Sequence, residues 1–517
     1  MVAMTSHAVR AALTTFRRLL TTATPSHIVE LEKRVNRISN SNGVGGSDTL
    51  ARRIFSLVYS HRSAVEEISK WREGGHKLHK HQLNRIVREL RKYKRYEHAL
   101  EICEWRAQQK ELKLYPGDYA VHMDLVCKVR GLQSAEKFFD DLPEQMKRRE
   151  TYSTLLHLYS QNKLVELAEG LMEKMRELGL LTNCLPYNHM LVLYFSLGKM
   201  DKLASVTREL IDKTSPDIIT FNLLLSVFSS KSDVPGAEKL FVEMQKKNIE
   251  PDWISYSTLA NLYTKREAYE KAASTLGKME TLLSRKNRAA YPSLISLYAN
   301  IRNVDGVRRI WKEMKSIFRK MNDSEYTCML SSLLKLELYE EAENLYKEWE
   351  LVSGTGDPRV SNVLLASYIN RGNVEEAEKF YNHMVATGIR NSYTTWELLT
   401  WGSLKSRQMD KTLEYLQKAI GSVKKWDFDE KLIDAISGSI EELGDVERAE
   451  NLMTILGKAG HKDTNRYNSL LRTYEKAGKM PLIITERMSI DNVDLNEETH
   501  RLLRVTSKLC VSEVSSG

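Results

Sequence analysis

Side chains able to do covalent or metal chemistry are scattered along this chain. Its 13 histidines show no metal-ligand spacing. The five cysteines, Cys103, Cys127, Cys184, Cys328 and Cys510, form no C-x-x-C pair. Neither a structural zinc nor a disulfide framework is expected from them, and an odd set of thiols suits a reducing compartment. The H-x-E and C-x-x-C elements of a zinc deaminase are absent. The glycines of S-G-T-G, Ser353 to Gly356, lack the G-K-[ST] that closes a phosphate loop, and read as an interhelix loop. The N-D-S triplet at Asn322 matches a glycosylation acceptor, which only a protein that enters the secretory route would use. The acidic pairs Glu340-Glu341 and Glu375-Glu376 fall on the solvent face of helices. No catalytic set emerges, so neither an enzyme nor a cofactor is expected. Short polar side chains recur instead: Asn or Ser next to an aromatic, and Asp after a proline.

The elements that must position these residues repeat at a fixed interval. From Ser215 the chain reads S-P-D-I-I-T-F-N-L-L-L, then G-A-E-K-L-F-V-E-M, then E-P-D-W-I-S-Y-S-T-L. Phe221 and Tyr256 are 35 residues apart. A period of that size means stacked supersecondary modules. Repeats are expected to start near Pro116, Arg149, Cys184, Ile218, Trp253, Arg288, Asp323, Pro358, Tyr393, Glu430 and Thr464. An irregular first repeat covers Lys80 to Tyr115.

Three columns give the packing logic. An aromatic recurs in the first helix: Tyr159, Tyr194, Phe228, Tyr263, Tyr298, Tyr368 and Tyr474. A small residue recurs in the second: Ala135, Ala168, Ala237, Ala272, Ala342, Ala377 and Ala449. Met175, Met244, Met279, Met314 and Met384 follow it. Alanine lets two backbones approach, and the aromatic and Met fill the space beside it. One helix pair cannot bury its apolar stripe on both sides, whereas stacked neighbours can. These columns are therefore core. Gly198, Gly372, Gly444 and Gly478 stand between the two helices of their repeats, where a left-handed turn suits glycine.

The fold class expected is all-α: a right-handed α-solenoid of antiparallel helix pairs, with about 11–12 repeats. Residues 80–498 form the array, 47–79 a helical cap, and 499–517 a helix end and disordered tail. Residues 1–46 read as a transit peptide and linker. They begin with a stretch, 1–29, that has no acidic residue, with Arg10, Arg17 and Arg18 on one helical face and Val9, Leu13, Phe16 and Leu20 on another. Arginines within an apolar helix-forming stretch favour the mitochondrial matrix over the plastid. N-S-N-G-V-G-G-S, Asn40 to Ser47, is linker by composition. Net charge is +9, from 77 basic and 68 acidic residues, which permits a nucleic-acid partner without requiring one. The basic run Arg88 to Arg95 reads first as a solvated helix face. No apolar run approaches the roughly 20 residues of a membrane span.

The array resembles the pentatricopeptide repeat family of RNA-binding helical solenoids, in its plain class. The residues that carry the likeness are the hinges Pro216-Asp217 and Pro251-Asp252, the openings at Tyr152, Tyr187, Phe221, Tyr256 and Tyr467, and the A-E-x-L/F-x-x-M second helices. The W-x2-L-G-x2-Y pattern of tetratricopeptide repeats is missing. The likeness covers about 420 of the 517 residues. The segment W-E-L-L-T-W, Trp396 to Trp401, resembles a plant subgroup.

The resemblance implies that each repeat reads one RNA base with two side chains on the concave face. One follows the opening aromatic, and the other is the hinge residue before the next repeat. Ser153 with Asn183 then resembles an adenine reader, as does Ser257 with Asn287. Asn188 with Asp217, and Asn222 with Asp252, resemble uracil readers. Thr327 with Asp357 resembles a guanine reader and Asn362 with Ser392 a cytosine reader. Pro292 with Asn322 has no donor and is unassigned. The implied element is 5′-A-U-U-A-n-G-C-3′. An aliphatic residue two before the aromatic sandwiches the base: Leu185, Ile219 and Ile254 fit, whereas Glu150, Ala289, Ser324 and Arg359 do not. Ala120, Glu397 and Asp434 stand at first reading positions that suit structure rather than reading. Lys265, Lys335, Lys405 and Lys476 occupy the place where the family approaches phosphate. Ser, Asn and Asp at helix starts are also ordinary N-caps. Recurrence at two linked positions is what separates reading from capping.

The function expected is sequence-selective binding of single-stranded organellar RNA by a monomer, serving processing, stability, splicing or translation. The alternative is a helical scaffold for a protein or ribosomal partner. No appended editing or nuclease domain is expected after the repeats.

Overall fold

The computed structural model describes residues 49–57, 62–109, 111–423, 426 and 429–514. The leader and linker expected at 1–46 lie outside the described residues. Among the described residues all regular structure is helical, in antiparallel pairs with no strand. They fall into two compact units, one ending at Ser284 and one beginning at Arg285. Inside each unit, first helices pack on their own second helices and on the first helix of the next repeat.

Helix starts follow the sequence period closely. First helices begin at Lys80, Pro116, Arg149, Leu185, Ile218, Trp253, Asp323, Pro358, Tyr393, Glu430 and Thr464. One repeat differs. A short 3-10 turn occupies Arg285–Asn287, so its first helix starts at Ala290 rather than Arg288. The side chain of Arg288 is drawn forward to Lys320 O, at 2.7 Å, and to the Glu325 carboxylate. At the C-terminal end the last helix, Glu497–Val514, runs into the segment that composition marked as a disordered tail.

The local reasons are capping and handedness. In the helix Trp253–Lys265 the Asp252 carboxylate accepts from the Ile254 and Ser255 amides at 3.0 and 2.9 Å, while Ser255 Oγ accepts from Asp252 N. That reciprocal cap satisfies otherwise orphaned donors. Between the paired helices the backbone turns left-handed at Gly198 and Gly372, with φ of 69° and 76°. Lys163, Glu267, Glu337 and Arg407 adopt the same conformation without being glycine, so the turn is imposed by packing rather than by residue choice.

The three columns are core. The alanines and methionines are buried, as are Tyr159, Tyr194, Tyr263, Tyr298 and Tyr368; Phe228 and Tyr474 are half-buried. The column tyrosines also carry a polar lock between repeats. The hydroxyls of Tyr194, Tyr263, Tyr368 and Tyr474 donate to Glu169, Glu238, Glu343 and Glu450 of the preceding second helix, at 2.7 to 2.9 Å. Burial and these carboxylates push the phenol pKa values upward. Lys202 and Lys271 reach the same glutamates, 169 and 238, at 2.5 and 2.8 Å. Exposed pairs of this kind contribute only about 0–1 kcal/mol, so their main effect is to set the register in which repeats stack.

Candidate nucleic-acid interface

The first turns of the first helices carry the polar residues. The best-formed cluster centres on Asn222, whose Nδ2 donates to Asp252 Oδ1 at 3.1 Å. Asp252 lies there because it caps the next repeat's first helix. Ser255, one turn into that helix, places Oγ 2.6 Å from Asn222 Oδ1 and 3.1 Å from Asp252 Oδ1. The carboxylate can only accept, so the NH2 end of the amide must face it. The carbonyl end therefore faces the hydroxyl, whose single proton is shared between the two oxygens.

The same triangle recurs. Asn188 bonds the Asp217 carboxylate, and Thr220 Oγ1 lies 2.9 Å from Asn188 Oδ1 and 2.8 Å from Asp217 Oδ1. Asn362 Nδ2 donates to Ser392 Oγ at 3.2 Å, and Thr395 Oγ1 donates to Asn362 Oδ1 at 2.9 Å. Asn468 Nδ2 donates to Asn496 Oδ1 at 3.1 Å, with Thr499 Oγ1 2.7 Å from Asn468 Oδ1. The four asparagines are only 1–6% exposed. Burial would raise the pKa of Asp217. Hydrogen bonds from Thr220, Cys184 and Asn188 outweigh it and hold the carboxyl below its usual range.

Around these clusters Leu185 and Ile219 stand about half exposed, large apolar side chains that face solvent beside polar edges. Ile254 is partly buried. Lys335 Nζ donates to Asn300 Oδ1 at 2.5 Å and Lys405 Nζ to Asn370 Oδ1 at 3.5 Å, each reaching back to the preceding first helix. Burial lowers the pKa of Lys265.

A mitochondrial pentatricopeptide repeat-containing protein of Arabidopsis thaliana is 58% identical over 473 residues, covering 92% of this chain and 89% of the relative. The chain belongs to the pentatricopeptide repeat family. Family models described as PPR repeat, PPR repeat family and pentatricopeptide repeat domain match residues 150–180, 171–231, 216–265, 290–317, 326–351 and 360–389. A second mitochondrial relative of Arabidopsis thaliana is 40% identical over 200 residues, 38% of this chain and 49% of the relative. The crystal structure of the pentatricopeptide repeat protein PPR10 in complex with an 18-nt psaJ RNA element is similar at a TM-score of 0.45 and 16% identity, covering 92% and 83% of the two chains.

Within this pentatricopeptide repeat chain the expected pairs divide. Asn188–Asp217, Asn222–Asp252 and Asn362–Ser392 are brought together. Ser153 and Asn183 are not joined: Ser153 Oγ is buried without a hydrogen-bond partner, and Asn183 accepts from Leu185 N at 3.2 Å. Thr327 and Asp357 are not joined either. Thr327 bonds Asp323 O at 2.8 Å, and Arg359 holds Asp357 through its Nε at 3.0 Å and its amide at 3.0 Å. Ser257 donates to Ile254 O at 3.0 Å, and Asn287 belongs to the other compact unit. The Asn468–Asn496 pair was not expected. Its signal was present in Y-N-S-L-L at Tyr467, but the partner lies 28 residues on, off the 30-residue spacing of Asn222 and Asp252.

Proposed function

We propose that this protein binds single-stranded RNA in mitochondria, one base per repeat along the face its first helices share, and acts by occupying its transcript. The observation that carries the reading is the repeated asparagine–hinge pair, in which donors and acceptors of fixed orientation line one edge. Unpaired bases present their Watson–Crick edges to such groups. Uracil offers carbonyl acceptors and an N3–H donor. The second proton on Asn222 Nδ2 and the Asp252 carboxylate complement it. Exposed Leu185 and Ile219 supply apolar faces for stacking. The mitochondrial relative at 58% identity supports the compartment. The implied element remains 5′-A-U-U-A-n-G-C-3′, with Asn188 and Asn222 reading its two uracils.

The test is equilibrium binding of the purified chain to this 7-mer and to scrambled controls, at low and moderate salt. Selective binding of the 7-mer is expected. Binding to neither RNA at low salt would overturn the reading in favour of a protein scaffold.

A further inference from the structure

We infer that a hydroxyl residue at the third position of the helix that follows — Thr220, Ser255, Thr395 and Thr499 — is a positioning residue that orients the reading asparagine of the preceding repeat and so decides its base preference. The inference rests on the RNA reading above and adds a third side chain to each pair.

The geometry recurs wherever the asparagine pairs with a hinge residue. Each hydroxyl oxygen lies 2.6–2.9 Å from the amide oxygen of Asn188, Asn222, Asn362 or Asn468. The hinge residue then receives Nδ2. An amide is nearly symmetric in shape, so something must choose which end faces the base. The hydroxyl chooses the carbonyl for itself and leaves the NH2 outward.

The chain contains its own controls. Asn84 faces a carboxylate at the equivalent place, Asp118 before Tyr119. There the amide is reversed: Nδ2 donates to Asp118 Oδ1 at 3.4 Å, and Oδ1 accepts from Arg106. Pro186 and Val360 hold the equivalent place for Ser153 and Thr327, offer no hydroxyl, and neither of those pairs is joined. Thr151 has a hydroxyl but faces Ala120, and turns to its own backbone at Met146 O and Arg148 O, 3.0 and 2.9 Å away. Wherever a hydroxyl at this place stands opposite an asparagine, it takes the amide oxygen.

The consequence is chemical. With the hydroxyl present, Asn222 donates to a uracil carbonyl. Without it Oδ1 loses its donor and the amide is held by the Asp252 bond alone, so Oδ1 becomes an open acceptor for the amino group of cytosine. The experiment uses the full chain, with 7-mers differing only in U or C at the second or third base. Wild type is expected to favour U by about tenfold at each. Ser255→Ala should lower the third-base preference to within about twofold and leave the second-base preference intact, while loss of the cap on Asp252 N lowers the urea midpoint without unfolding the chain. Ser255→Thr should restore the preference. A third-base preference unchanged in Ser255→Ala overturns the inference, and so does equal loss at both bases. If Ser255→Ala does not fold, Thr220→Val read at the second base decides. Absence of any preference in wild type overturns the RNA reading itself, and the inference with it.

Discussion

Arg466 Nη1 donates to Asp434 Oδ1 at 2.5 Å, and Arg466 stands at the place that Thr220 and Ser255 occupy in their own helices. A charge at the first reading position is matched by an opposite charge where the hydroxyl would be. Asp463, capping the helix that follows, fills the hinge place. Asp434→Asn with Arg466→Thr therefore rebuilds the whole triangle at the spacing of Asn188, Asp217 and Thr220. The double variant should gain a uracil preference at the ninth base of a lengthened RNA, counting the Arg149 repeat as the first. Either single variant should not. Binding to oligonucleotides varied at that base checks it.

Close packing beside the alanine column gives a stability prediction. A Cβ on Gly236 would come within 2.6 Å of the Phe228 ring and 2.5 Å of Asp233 Oδ2. Gly236→Ala should destabilise by about 1–3 kcal/mol through overpacking. Gly277, inside the helix Tyr269–Glu280, has nothing within 4 Å of the same atom. Gly277→Ala should stabilise by roughly 1 kcal/mol through helix propensity. Urea unfolding of the two variants should move in opposite directions, and movement in the same direction would contradict the packing.

Two buried histidines set an acid limit. Burial, aided by His157 whose ring centroid is 4.8 Å away, pulls His189 down to about 3. Burial and the nearby Arg106 and Arg130 charges pull His122 down to about 4. Both folded values lie below the ordinary 6.5, so the unfolded chain binds the extra protons first. Their contribution is complete above pH 6.5 and is lost as pH falls toward 4 and 3. The loss is on the order of 1 kcal/mol per pH unit for each histidine. His189→Phe should flatten the slope of unfolding free energy against pH across that window. An unchanged slope would show that His189 titrates normally.

Salt dependence tests the lysine column. If Lys335 contacts phosphate, Lys335→Gln should reduce the slope of log K against log salt by about 0.7. Sequence preference should be untouched, since phosphate contacts position without specifying. A slope equal to wild type would leave Lys335 as a strut to Asn300.

Much of this was legible before any coordinates. The 35-residue period, the Ala and Met columns and the Pro-Asp hinges place nearly every helix start, because helix periodicity and capping are local. The exception, the repeat at Arg288, departs where a 3-10 turn precedes the helix and no Pro-Asp cap marks its start. The hydroxyls of Thr220 and Ser255 were visible in I-T-F-N and I-S-Y-S. Its role was not, since its partner belongs to the previous repeat.

Sequence alone determined the module, its phase and the residue types at the two linked positions. Each follows from contacts within a few turns of helix. Tertiary structure decided which linked positions meet. Asn222 reaches Asp252 because stacking brings the next cap beside it, whereas Thr327 bonds Asp323 O and Asp357 is held by Arg359. A hydrogen bond across some thirty residues depends on how neighbouring helices dock and on which donors compete for the same oxygen, and neither is written in the period.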